Sequence, residues 1–138
     1  MDSDKAGLIA TALVQDWQVA KSIVEGYCGT FIAILQPNAY VGLARLDHLQ
    51  KVKGDEQLRA QISSVYPAIR QEMAARNIGH DFTDTFDGEE YLYIDSAHVS
   101  PAGNARIAAR LADLLAKMES SGVSANSSCS GAGSGGKI

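Results

Sequence analysis

The chain has 138 residues, of which 46% are hydrophobic and 20% are charged, the composition of one ordinary globular domain. A formal net charge of −4 argues against nucleic acid or an anionic membrane surface as a partner. No uncharged apolar run is long enough for a transmembrane helix, and two cysteines cannot by themselves make a structural zinc site.

The first predicted element is a helix over residues 5–27, which ends near Gly26 and Gly29. Apolar residues recur in it at helical spacing and should form one stripe that faces a core: Ile9, Leu13, Trp17, Ala20, Val24 and Tyr27. Because Trp17 belongs to this stripe, we interpret it as a core residue and not as a platform for a ligand.

A continuous apolar run over residues 30–35 follows, and its lack of alternation predicts a strand buried on both faces of a parallel sheet. Pro37 cannot donate to a strand ladder, so the strand should end before it. Loops at the carboxyl ends of parallel strands often carry function. Gln36 and Asn38 are therefore candidates for the rim of a cleft.

The segment over residues 39–54 is less regular. Leu43, Leu46 and Leu49 are spaced as in a short helix, and residues 51–55 read as a solvated loop. We interpret His48, which lies between them, as a surface histidine.

Two further helices are predicted, over residues 56–77 and 101–118, with a short strand over 80–84 between them. Pro67 should kink or split the first of these helices, because it removes one backbone N–H. Residues 120–138 collapse in composition to Ser, Gly, Ala and Asn, which predicts a disordered tail.

This alternation of helices and strands predicts a parallel α/β unit with right-handed crossovers. Only one strong strand and one or two weak ones are visible, which is too little sheet to bury three long helices. We therefore expect residues 1–119 to be the C-terminal portion of an α/β domain. Its N-terminal strands would be missing from this sequence or supplied by another chain.

The candidate site is Asp95 and His98, which lie just before a well-marked helix start. An Asp three residues before a His in a turn can accept a hydrogen bond from Nδ1–H, which leaves Nε2 free as a base. Ser100 is a suitable N-cap, and Pro101 suits the first helical position. A bare D-x-x-H also occurs by chance in solvated loops, so this strand–loop–helix context matters.

Residues 93–108 read Tyr-Ile-Asp-Ser-Ala-His-Val-Ser-Pro-Ala-Gly-Asn-Ala-Arg-Ile-Ala and resemble the last conserved block of the SGNH (GDSL-type) esterase/lipase superfamily. The strand that ends in Leu-Gln-Pro and the polar turn over residues 85–90 are also similar to that family. The resemblance spans roughly residues 5–118, as the C-terminal half of the family only. It implies a flavodoxin-like, three-layer α/β/α parallel sheet fold and a serine esterase that works through an acyl-enzyme. Asp95 matches the orienting acid and His98 the general base.

The family's Gly-Asp-Ser nucleophile block and its Gly and Asn oxyanion-hole blocks have no counterpart in this sequence. The only Gly-Asp is Gly54-Asp55, and a glutamate follows it. Ser96 and Ser100 flank the histidine, but the turn and the helix cap explain them. We therefore identify no nucleophile and expect residues 1–138 alone to be inactive, with a small-molecule ester as substrate only if an N-terminal half completes the site.

A second interpretation is a non-catalytic α/β module that binds a partner chain, or a second copy of itself, through an exposed sheet edge. An encoded Gly-Asp-Ser block upstream would favour the esterase, whereas a genuine start at Met1 would favour the module.

Five acidic residues surround the turn at Gly88 and raise the question of a cation site: Asp81, Asp84, Asp87, Glu89 and Glu90. An EF-hand loop fails on register, because aligning Gly88 with the loop glycine puts Thr83 and Ile94 at the first and last ligand positions. A solvated acidic loop is the simpler interpretation. We expect neither a metal nor a cofactor.

Residues 99–115 can also be read as part of a helix-turn-helix, with Pro-Ala-Gly-Asn as its turn. The acidic charge and the lack of a basic recognition face argue against DNA binding.

Overall fold

The computed structural model describes residues 3–121, and this range contains four helices and one sheet of two strands. The helices are α1 (Ser3–Gly26), α2 (Gln50–Gly54), α3 (Glu56–Arg76) and α4 (Pro101–Ser120), and the strands are β1 (Ile34–Leu35) and β2 (His80–Asp81). The three long predicted helices are confirmed to within a few residues. None of the helices in the described range is both long and apolar enough to cross a bilayer. The predicted disordered tail lies outside the described residues from position 122 onward.

The sheet consists of β1 and β2 alone in the part of the chain that the structure describes. They pair in parallel, with Ile34 opposite His80 and Leu35 opposite Asp81. The predicted three-layer, flavodoxin-like α/β/α fold is therefore wrong, since the described residues are mostly helical around this one short pair.

The C-terminal end of β2 explains why the pairing with β1 is so short. Asp81 Oδ1 accepts hydrogen bonds from the backbone N–H and the hydroxyl of Thr83, at 2.9 and 2.6 Å, which turns the chain away from the sheet. The apolar run over residues 30–35 thus meets a partner only near its end. Within that run Ala33 and Leu35 are buried, and Leu35 packs with residues of α1 and α3, which accounts for part of the apolar pattern.

The first core cluster lies between α1 and α3. Ala10 and Val14 of α1 have no exposed surface, and they pack with Leu35 and with Ile69 of α3. Trp17 packs against the same cluster, which confirms its interpretation as a core residue.

Helix α3 continues through Pro67 without splitting. Tyr66, directly before the proline, and Ile69, two residues after it, are buried in the first core cluster. We attribute the continuity of the helix to this burial, which offsets the one backbone hydrogen bond that proline removes.

The second core cluster is built mainly from connecting segments: Ala39, Tyr40, Val52, Phe86, Leu92 and Tyr93. Two details of the sequence prediction are wrong here. The leucines over residues 43–49 do not form a helix, and the predicted loop over 51–55 is mostly α2, with Val52 buried. His48 is exposed as predicted, and its Nε2 lies 2.8 Å from the carbonyl oxygen of Tyr93.

Candidate functional site

Asp95 and His98 are joined by a direct side-chain hydrogen bond. The His98 Nδ1–H donates to Asp95 Oδ2 over 2.8 Å. The other carboxylate oxygen of Asp95 accepts from the backbone N–H groups of Ala97 and His98, at 2.8 and 2.7 Å. One carboxylate therefore holds both the turn and the ring, and the imidazole Nε2 is left for another partner.

The loop that carries the pair is closed by backbone hydrogen bonds at its base. Ile94 N–H donates to the His98 carbonyl over 2.8 Å, and Ser100 N–H donates to the Leu92 carbonyl over 2.7 Å. Tyr93 and Val99 form an isolated antiparallel bridge between these two bonds. The loop is thus a tight hairpin-like turn, in which hydrogen bonds between nearby residues bring the two site residues together.

Helix α4 begins directly after this loop. Ser100 is its N-cap, with extended backbone angles, and its Oγ accepts from the Gly103 N–H over 3.2 Å. Pro101 occupies the first helical position, as predicted. The cap and the base of the loop therefore share Ser100, which ties the orientation of the loop to that of the helix.

The electrostatics of the pair favour an ionised carboxylate. The backbone N–H groups of Ala97 and His98, followed by the His98 ring, lower the pKa of Asp95 from its ordinary value of 3.8 to about 2. Asp95 is therefore negatively charged at neutral pH and can stabilise a positive charge on His98 when the ring takes up a proton.

The pair is open to solvent. The His98 side chain is 80% exposed and that of Asp95 is 52% exposed. Its geometry therefore depends on local hydrogen bonds and not on burial, and a reacting group from outside the described residues can reach the ring.

A cavity of about 300 Å³ lies beside His98. Its walls come from three separate parts of the chain: Ile34, Gln36, Pro37, Phe86, Ala97, His98, Val99, Asn104 and Ile107. Gln36, a predicted rim residue, is among them. Asn38 is not, and its buried Oδ1 instead accepts from the Tyr40 N–H over 3.1 Å.

No serine, threonine or cysteine is among these described wall residues. The Oγ of Ser100 is used as the helix cap, and the Ser96 carbonyl oxygen accepts a hydrogen bond from the Ala39 N–H over 3.0 Å. Neither serine lines the cavity, so the described chain brings together a base and its orienting acid but places no nucleophile in this cavity.

The acidic turn is held by arginines from two helices. Arg70 of α3 donates to Asp81 over 2.6 Å, while Arg110 and Arg106 of α4 pair with Asp84 and Glu90. The Asp87 carboxylate accepts from the Leu43 N–H over 2.6 Å. No group of three or more metal-ligating side chains occurs among residues 3–121. The acidic residues there thus fasten the turn to α3 and α4.

Sequence reasoning missed most of the cavity wall. Ile34, Phe86 and Ile107 lie in the predicted strand, the polar turn and the last predicted helix, and nothing local in those patterns shows that they meet. Asn104 could have been placed near Ile107 from the sequence, because it lies one helical turn before Ile107 and therefore on the same face of α4.

Comparisons with family models, with curated proteins and with solved structures found no match for this chain. The resemblance to SGNH esterases therefore stays a hypothesis, which rests on the motif over residues 93–108 and on the chemistry of the site.

Proposed function

We propose that this protein takes part in the hydrolysis of carboxylic esters, with His98 as the general base and Asp95 as the residue that orients it. The observation that carries the proposal is the 2.8 Å hydrogen bond from His98 Nδ1–H to Asp95, which leaves Nε2 unused by Asp95 in a residue that lines a cavity. This is the arrangement by which serine hydrolases activate a hydroxyl nucleophile.

In the proposed reaction a serine hydroxyl attacks the ester carbonyl, and His98 Nε2 takes up the hydroxyl proton. The imidazolium then gives this proton to the departing alcohol, which leaves an acyl-enzyme. In the second half His98 removes a proton from water, and the oxygen of this water attacks the acyl carbonyl. The bond to the serine oxygen then breaks, the imidazolium returns its proton to that oxygen, and the carboxylic acid leaves. The low pKa of Asp95 keeps it ionised through both halves, so it stabilises each imidazolium.

The serine and the oxyanion donors of this reaction would come from outside the described cavity wall, either from another segment of polypeptide or from another chain. We accordingly expect residues 1–138 alone to form no acyl-enzyme. Loss of the nucleophile and its oxyanion hole costs several powers of ten in rate even when the base is in place.

The test is hydrolysis of p-nitrophenyl acetate and p-nitrophenyl butyrate by the complete polypeptide that the natural gene encodes, with residues 1–138 in parallel. We expect turnover by the complete polypeptide to disappear in His98→Ala. In Asp95→Asn it should fall by on the order of 10³–10⁴-fold. His80→Ala is the matched control, since His80 lies on β2 and does not line the cavity.

A complete polypeptide that hydrolyses neither ester would contradict the proposal. If the gene encodes only residues 1–138, the same failure excludes esterase activity for this chain. Turnover by residues 1–138 alone that requires His98 would instead show a nucleophile within them, and Ser96 and Ser100 would be replaced first.

A non-catalytic module that binds a partner chain is the second candidate. It is favoured by the two-stranded sheet, whose strands each keep one edge without a further strand in the described range. The outward face of α1 also exposes Leu8, Val19 and Ile23 at 57–72% of their surface. A stable monomer by light scattering at high concentration would count against self-association through these surfaces.

A further inference from the structure

The cavity beside His98 is mainly apolar. Hydrocarbon side chains form most of its wall, and they come from β1, the segment after it, the acidic turn, the loop of Asp95 and His98, and α4: Ile34, Pro37, Phe86, Val99 and Ile107. Two side-chain amides, Gln36 and Asn104, supply neutral polar groups. The only ionisable side chain among the described wall residues is His98 itself.

The wall is held in place by packing on the side away from the cavity. Phe86 is 3% exposed and meets the ring of Tyr93 edge to face, with the ring centroids 5.2 Å apart. Ile34 lies on the paired strand β1, and Ile107 packs against the second core cluster. Phe86, Ile34 and Ile107 are thus packed in place before any ligand arrives, which lowers the entropic cost of binding.

These walls select the chemistry of a ligand. A phosphate or a sulfate needs fixed cationic donors, and a sugar needs many hydrogen-bond partners, because unpaired buried hydroxyls are costly. The described wall offers instead hydrocarbon surface with two amides and one imidazole. It therefore suits a small neutral molecule that has one carbonyl group and a hydrocarbon chain.

We propose that this cavity binds the acyl part of a small ester, with the hydrocarbon chain on the apolar walls and the carbonyl group toward His98 and the amides. The volume of about 300 Å³ lies at the lower end for small-molecule sites, which favours short acyl chains. The proposal rests on the proposed function for the choice of an ester, but binding itself requires no nucleophile.

The test is a methyl-detected NMR titration of residues 1–138 with ethyl butyrate, with glycerol monoacetate as the hydroxyl-rich control ester. We expect saturable shifts of the methyl signals of Ile34, Val99 and Ile107 with ethyl butyrate. Glycerol monoacetate should bind at least about tenfold more weakly, since its hydroxyl groups find few partners on these walls.

Two variants locate the site. Ile107→Trp places a larger side chain in the cavity and should weaken ethyl butyrate binding by about tenfold or more. Ile23→Trp makes the same change on the exposed face of α1, where Ile23 is 57% exposed, and should bind like the wild type. If Ile107→Trp is misfolded by circular dichroism, Ile34→Phe serves as the second cavity-filling variant.

Three results would overturn the inference: no saturable shift with ethyl butyrate, equal affinity for glycerol monoacetate, or binding that the cavity-filling variants leave unchanged. These failures are distinct from failure of the proposed function. If the complete polypeptide shows His98-dependent esterase activity but binds no ethyl butyrate, the proposed reaction stands. The assignment of the cavity as an acyl-binding site is then wrong. If ethyl butyrate binds in the cavity but the complete polypeptide has no esterase activity, the binding site stands and the proposed reaction is wrong.

Discussion

Gly103 of α4 lies against Val99 so closely that a side chain at position 103 has no room. A Cβ atom added to Gly103 would lie 2.8 Å from the Cβ of Val99 and 3.4 Å from the carbonyl oxygen of Leu92. Both neighbours belong to the base of the loop that carries Asp95 and His98. The close approach of α4 to this loop thus depends on a glycine at position 103. Val99, which Gly103 contacts, lies on the cavity wall together with His98.

Gly103→Ala should therefore destabilise the protein, although alanine is the better helix former. The clash with Val99 should cost about 1–3 kcal/mol of unfolding free energy, whereas alanine gains only about 0.5–1 kcal/mol in a helix. Urea unfolding followed by circular dichroism measures the difference. Gly7→Ala in α1 is the control, because nothing lies within 4 Å of a Cβ atom there, and it should stabilise by about 0.5–1 kcal/mol. Equal effects at the two positions would contradict the close approach.

Asp95 should determine which nitrogen of His98 carries the proton in the neutral ring. The Nδ1–H hydrogen bond to Asp95 favours the Nδ1–H tautomer, with Nε2 unprotonated. In Asp95→Asn this preference should fall, as ¹⁵N chemical shifts of the imidazole at high pH will report. Asp84→Asn removes an exposed carboxylate that is paired with Arg110, and it should leave the His98 tautomer unchanged. If the His98 tautomer is the same in wild type and in Asp95→Asn, the assignment of Asp95 as the orienting residue is wrong.

The ionisation of Asp95 should also make stability depend on pH. Its pKa is lower in the folded protein, at about 2, than the ordinary value of 3.8. The unfolded chain therefore binds this proton more readily, and the stabilisation that the carboxylate provides is present above about pH 4 and is lost as the pH falls toward 2. The difference in unfolding free energy between wild type and Asp95→Asn should shrink across this interval, as measured by urea unfolding at several pH values. A difference that stays constant from pH 5 to pH 2 would show that the carboxylate charge does not stabilise the loop.

Arg110 should matter more to stability than its neighbour Arg106, although both pair with the acidic turn. Arg110 Nη1 donates to Asp84 over 2.5 Å and to the Thr85 hydroxyl over 2.8 Å, and its Nη2 donates to the Asp81 carbonyl over 2.9 Å. Its guanidinium also lies 4.5 Å from the centre of the Phe82 ring.

Arg110→Leu should therefore cost about 1.5–3 kcal/mol, the range for hydrogen bonds to a charged group. Arg106→Leu removes one exposed ion pair with Glu90 and should cost at most about 1 kcal/mol. Thermal unfolding of both variants at low and high salt provides the comparison. Similar losses in the two variants would mean that the acidic turn is held by charge alone and not by the hydrogen bonds that only Arg110 makes.

Most of the helical structure and the Asp95–His98 contact could be predicted from the sequence because both depend on nearby residues. The apolar period of 3.6 residues marks α1, α3 and α4 without knowledge of their partners. The cap at Ser100 and the turn at Asp95 need only hydrogen bonds that reach three residues or fewer along the chain.

The extent of the sheet and the walls of the cavity were decided by tertiary structure. A continuous apolar run such as residues 30–35 suits burial by strands or by helices equally well, so the sequence alone overestimated the sheet. Ile34, Phe86 and Ile107 are far apart along the chain, and only packing brings them to one cavity. Contacts of this kind depend on how whole elements fit together, whereas a hydrogen bond across a three-residue turn is already determined by the order of the residues.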